Sequence, residues 1–150
     1  MPWTFYNASG QRLSSAAPHT APVFGRVVRT GGNVTTTSTS LVDVTDATIT
    51  FTTGAFPVRY SVVQSARNDT QASQLRFNVD VDGTLLHGTT GTIMQQAVAA
   101  LWVNLSFSGT TAALTAGAHT IKLQWSVSAN TGTILAASGD NLMWSAEEIR

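Results

Sequence analysis

Apolar and polar residues alternate with a period of two over most of this chain. The cleanest run is His119–Val127, where His119, Ile121, Leu123, Trp125 and Val127 fall on one side and Thr120, Lys122, Gln124 and Ser126 on the other. A strand sends successive side chains to opposite faces, so the pattern predicts one face in a core and one outside. Ala116-Gly117, just before it, reads as a turn. Four more segments carry the same alternation. Ile49 and Phe51 point inward among Thr48, Thr50 and Thr52. Val58, Tyr60 and Val62 oppose Arg59, Ser61 and Ser65. Leu75, Phe77, Val79 and Val81 alternate with Gln74, Arg76, Asn78 and Asp80. Leu101, Val103, Leu105 and Phe107 form a further inward face, with Trp102, Asn104 and Ser106 outside.

The intervening sequence supplies shorter strands and their punctuation. Pro22–Arg29 reads as a first strand ended by Gly31-Gly32, and Asn33–Ser40 as a hydroxyl-rich edge or loop. Leu41–Val44 is a short strand followed by a turn at Thr45-Asp46. Asp82-Gly83 is the strongest hairpin signal in the chain. Ile93–Ala100 fits a strand or a short helix, the strand being preferred. Ile134-Leu135 and Leu142–Ile149 complete the set. Eight or nine short antiparallel strands without a long helix predict an all-β sandwich or barrel.

Residues 1–21 break this rhythm, which divides the chain into an N-terminal arm and a head at 22–150. Trp3, Phe5 and Tyr6 form an aromatic cluster, Asn7–Gly10 a turn, and a Ser/Ala/Pro stretch follows Leu13. Each aromatic buries on the order of 150–250 Å², which a segment this short does not supply by itself. Two readings follow: the cluster packs back on its own sandwich, or the arm docks on another protein through Trp3, Phe5, Tyr6 and Leu13.

Composition sharpens the second reading. Charged residues make up 11% of the chain and sum to zero, against about 25% in an average soluble domain. Seven of the eight basic residues are arginine. A neutral, sparsely charged surface is weakly protected against association, which favours a protein built to be assembled. The absence of a basic face argues against binding nucleic acid or an anionic membrane. The residues after Met1 show no secretory pattern, and no apolar run approaches the roughly 20 residues of a membrane span.

Candidate chemistry is thin. With no cysteine, disulfides and thiolate metal sites are excluded. Asp80-Val81-Asp82-Gly83 lacks the further ligands of a calcium loop, and Asp43 with Asp46 is a poor carboxylate pair for glycoside hydrolysis. His19, His87 and His119 have no metal-ligand spacing, and His119 is expected to be hydrogen-bonded at the core edge. No nucleophile elbow or phosphate-binding loop occurs. No enzyme activity, metal or cofactor is therefore expected. Trp102 interrupts a polar outer face, leaving intersubunit contact, ligand contact and local packing open. Trp125 and Trp144 read as core.

The segment order from residue 47 onward resembles the jelly roll of tumour-necrosis-factor-like and complement globular-head domains: Thr48–Phe51, Val58–Gln64, the Phe77–Gly83 hairpin, Leu101–Phe107, a Leu-x-x-Gly turn and Thr120–Val127. In texture, Pro2–Gly10 and the Leu114–Trp125 strand are similar to small surface proteins of bacteriophage particles: capsid decoration proteins, head fibres and fibre knobs. The resemblance implies a homotrimeric jelly-roll head on a virion, held to a capsid or other virion protein by its arm. The alternative is a receptor-binding knob that adheres to host glycan, with Arg67, Asn68 and Asp69 in a binding loop and Gly88–Thr92 in another.

Overall fold

The computed structural model describes residues 24–29, 31–95, 98–136 and 142–150. Trp3, Phe5, Tyr6 and Leu13, together with the arm that carries them, lie outside these residues. Among the described residues there are eleven strands: β1 (Phe24–Arg29), β2 (Val34–Thr36), β3 (Val42–Gly54), β4 (Val58–Asn68), β5 (Gln74–Val81), β6 (Thr84–Leu85), β7 (Thr92–Gln95), β8 (Val103–Thr110), β9 (Ala116–Val127), β10 (Gly132–Leu135) and β11 (Leu142–Glu148).

All strand pairings are antiparallel. In sheet one, β4 has β8 along one side. Along its other side β11 pairs with Val58–Val63 and β10 with Ser65–Asn68; β1 lies outside β11 and β2 outside β10. Sheet two runs β3-β9-β5, and β7 and β6 share the far edge of β5. Eight strands thus form the order β1-β11-β4-β8 facing β3-β9-β5-β7. That arrangement is a jelly roll.

The alternation read from the sequence is what closes it. Val58, Tyr60, Val62 and Ala66 of β4, and Leu142, Trp144 and Ala146 of β11, meet Leu75, Phe77, Val79, Ile121, Leu123, Trp125 and Val127 from the other sheet, all buried. Trp125 and Trp144 are core residues, and Phe77 stacks on Trp125 at 6.2 Å between centroids. The Asp82-Gly83 hairpin is present, with φ of 51° and 87°, the positive pair that a two-residue turn between twisted strands requires.

Three expectations are corrected. Thr45-Asp46 is not a turn. β3 continues through it as an irregularity between Asp43 and Thr48, and Asp46 takes a φ of 61° while remaining in the strand. Ala116-Gly117 is likewise strand, pairing with Gly54 and Thr53; a partner strand supplies hydrogen bonds that the local Gly signal does not reveal. Leu101 precedes β8 and is 53% exposed, so the inward face of that segment begins at Val103. Of Ile93–Ala100, assigned to strand or helix with the strand preferred, residues 93–95 lie in β7, paired along β5, whereas residues 98–100 form a bend and turn and are neither.

Candidate functional site

The two outer faces of the sandwich differ in chemistry. That of sheet two is polar and hydrogen-bonded within itself along β3 and β9, with Ile93 of the edge strand β7 an exposed apolar residue opposite Arg76. Asp43 accepts from Lys122 Nζ and from Gln124 Nε2, both at 2.8 Å, beside the outward Thr48 and Thr50 of β3. Lys122 holds the Asp43 carboxyl below the usual carboxylate range, and Asp43 in turn raises the lysine.

Sheet one presents a different surface. Register places Val28 opposite Met143 and Met143 opposite Val63, a row across β1, β11 and β4. Val28 and Val63 are each 41% exposed. Ser61, Ser106, Ser108 and Ser145 share this face. Charge is confined to its margins: Arg26, whose guanidinium touches Met143 Sδ at 3.5 Å, and the Arg59–Glu147 pair at 2.6 Å. A depression of about 280 Å³ lies over the row, lined by Arg26, Ser61, Val63, Met143, Trp144 and Ser145. A charge-depleted, partly apolar centre with a charged rim is the make-up of a protein contact surface.

One end of the same face brings together residues the sequence treated separately. Beyond the last β4–β8 pair, Ala66 with Val103, the Arg67 guanidinium lies 4.7 Å from the Trp102 ring centroid. Asp69 Oδ1 stands 4.0 Å from Arg67 Nε, and Ser65 donates to Asn104 Oδ1 at 2.5 Å. Arg67, Asp69 and Trp102 therefore form one patch. Asn68, named with them, turns the other way. It is fully buried, donates through Nδ2 to the Ala129 carbonyl at 3.0 Å, and accepts from the Thr70 amide at 3.0 Å.

No protein-family model matches the chain, and no curated protein is similar to it. Solved structures are similar in shape. A chain of the T=1 particles derived from infectious bursal virus superposes at a TM-score of 0.50 and 11% identity, covering 91% of this chain and 41% of that one. A chain of the Gt strain of infectious bursal disease virus gives the same TM-score and identity, covering 91% of this chain and 43% of its own. The EclA C-terminal domain, a sugar-binding protein, aligns at a TM-score of 0.41 and 15% identity, covering 87% of this chain and 84% of that domain. The likeness is one of fold. This chain spans less than half the length of the viral chains it matches.

Three polar constellations escaped the sequence reading in whole or in part. His119 is 9% exposed and hydrogen-bonded as expected, yet its partner Asp82 was read only as a turn residue. His87 meets the Tyr60 hydroxyl at 2.8 Å, with its ring edge-on to both Tyr60 and Phe107; burial raises the tyrosine above its ordinary pKa. Glu148 continues the inward row Leu142, Trp144, Ala146, which places a carboxylate inside the sandwich. Arg150 Nε donates to it at 2.7 Å and lowers its pKa. That row was visible in the sequence. Among the described residues no three His, Asp or Glu side chains gather into a metal-binding group.

Proposed function

We propose that this chain is a structural protein of a virus particle, a surface component of bacteriophage type that works by burying area and not by catalysis. Its jelly-roll heads associate through the outer face of sheet one into a homotrimer, and the arm with Trp3, Phe5, Tyr6 and Leu13 attaches them to a capsid or other virion protein. The observation that carries this reading is the row Val28–Met143–Val63, three apolar, partly exposed residues across three strands with the Arg26 guanidinium at its rim. The shared fold with chains of viral particles supports it. Light scattering of the full chain tests the association. Val63→Arg, which puts a charge in the centre of the face, should reduce the mass, and a wild type that remains a monomer at every concentration would end this reading. Replacing Trp3, Phe5 and Tyr6 by serine should leave the mass intact and abolish incorporation into particles.

A second reading, adhesion to a host glycan, has its own support in the Arg67–Trp102–Asp69 patch. An aromatic ring beside a guanidinium and a carboxylate combines the apolar and polar groups that saccharide recognition uses. A glycan array probed with the full chain and with Trp102→Ala separates the two. Signal lost in the variant supports adhesion, and silence from the wild type removes it.

A further inference from the structure

A sheet edge exposes unpaired backbone N–H and C=O groups, and proteins guard such edges with charge, proline, bulges or short strands. Most edges of this sandwich are guarded. β3 carries its irregularity between Asp43 and Thr48, and Asp46 there is paired with Arg29. β2, β6 and β7 have three, two and four residues. β1 carries Arg26 and Arg29 and crosses close to β3, where Gly25 leaves room for the Ile49 side chain.

β8 has none of these devices. It is eight residues long, Val-Asn-Leu-Ser-Phe-Ser-Gly-Thr, with no charge and no proline. It stays in unbroken register with β4 from Arg59–Thr110 to Ala66–Val103. Among the described residues β4 is its only strand partner. Its side chains show the same want of a neighbour: Val103, Leu105 and Phe107 point inward but are only half-buried, whereas Val58, Val62 and Trp144 in the same sheet are closed off.

We propose that β8 pairs antiparallel with β8 of a second copy about a two-fold axis, so that sheet one runs on through both protomers. A two-fold contact requires a surface complementary to itself. A strand without charge meets its copy with no like-charge repulsion. The alternation Val103/Leu105/Phe107 against Asn104/Ser106/Ser108 puts apolar with apolar and polar with polar when the two strands align. This goes beyond the reading above, which assigns the face of sheet one and not its edge.

The test uses the full chain, weighed by light scattering and sedimentation. With the trimer proposed above, edge pairing makes the wild type a hexamer, or in any case an even number of protomers. Ser106→Lys, a charge on an exposed position of the edge strand, should halve that number. A wild type with an odd number, or a Ser106→Lys mass equal to wild type, overturns the proposal. Should the lysine variant fail to fold, single cysteines at 104–108 decide instead, since the chain has none of its own. The position on the axis faces its copy within disulfide reach and gives a covalent dimer on mild oxidation; no dimer at any of the five positions overturns the pairing. Ser106 lies opposite Val63 on the outer face, so the cysteine series is what separates the two surfaces. If Val63→Arg leaves the mass unchanged while an edge cysteine still gives the covalent dimer, the face assignment fails and the edge stands. A lower mass for Val63→Arg with no covalent dimer at any position removes the edge alone.

Discussion

His119 faces two acceptors at once, the Asp82 carboxylate from Nδ1 at 2.6 Å and the Thr115 carbonyl from Nε2 at 2.8 Å. Neither partner has a proton to give when Asp82 is ionised, so the arrangement favours the protonated imidazole, in which both ring nitrogens donate. The Asp82 hydrogen bond, then that of Thr115, raises the histidine above its ordinary value of 6.5. Asp82 is lowered from 3.8, chiefly by the Thr120 amide at 2.8 Å and then by His119. Together they tie the β5–β6 hairpin to β9.

A raised histidine stabilises the fold fully below its unfolded pKa and stops doing so as pH rises through the native value. A lowered aspartate contributes fully above its unfolded pKa, and the contribution fades as pH falls through the native value. The link is therefore complete between about pH 4 and pH 6.5 and weakens on either side. His119→Gln should lower stability by about 1 kcal/mol inside that window, less than a buried charged hydrogen bond because Asp82 is partly exposed. It should also flatten the alkaline fall in Tm. Melting curves from pH 4 to 9 check this, and a variant with the wild-type slope refutes it.

Gln64 points into the core where β11 hands over to β10: Val63 pairs with Met143 and Ser65 with Leu135. The residue is 2% exposed, and among the described residues neither its amide nitrogen nor its oxygen has a hydrogen-bond partner. An unsatisfied buried amide costs roughly 1–3 kcal/mol. Gln64→Met keeps the shape and removes the polar atoms, so it should raise stability by about 1–2 kcal/mol. Urea titration reads the change in midpoint, and a loss of stability would mean that the amide serves the fold.

Asn68 joins two loops, that after β4 through the Thr70 amide and that after β9 through the Ala129 carbonyl. Asn68→Ala leaves both groups without this partner and should cost about 1–3 kcal/mol. Amide exchange should show the greatest loss of protection around Thr70 and the β9–β10 loop. Uniform loss across the sandwich would argue against this local role.

Gly109 lies beneath the Tyr60 ring, and a Cβ there would collide with the tyrosine hydroxyl. That hydroxyl is held by His87, so it cannot simply swing away. Gly109→Ala should destabilise by about 1–3 kcal/mol through overpacking. Ser108→Ala, next to it on the exposed side, should change little. Equal effects from the two in thermal melts would show that the collision is relieved.

The inward rows of β4, β5, β9 and β11 were legible because apolar residues recur at every second position. The sequence did not reveal that Asn78, Asp80 and Ser126, read as outer-face residues, are themselves buried. Glu148 was equally legible, as the next step in the row after Ala146. Arg67 and Trp102 were not, since 35 positions separate them and only the β4–β8 register brings them side by side. Asn68 was misplaced for a related reason: a polar residue beside Asp69 and Thr70 looks like loop surface until Ala129 closes over it.

Sequence alone determined the all-β class, the sides of the strands and the shortage of charge, because each is a property of residue types and their spacing. Only the tertiary structure decided that β8 is an edge among the described strands and that Val28, Met143 and Val63 make a row. The Val103–Thr110 segment alternates like the strands at the centre of the sheets. Whether another strand lies beside it depends on which distant segments pair, and hydrogen bonds between strands are made by backbone that is the same in every residue but proline.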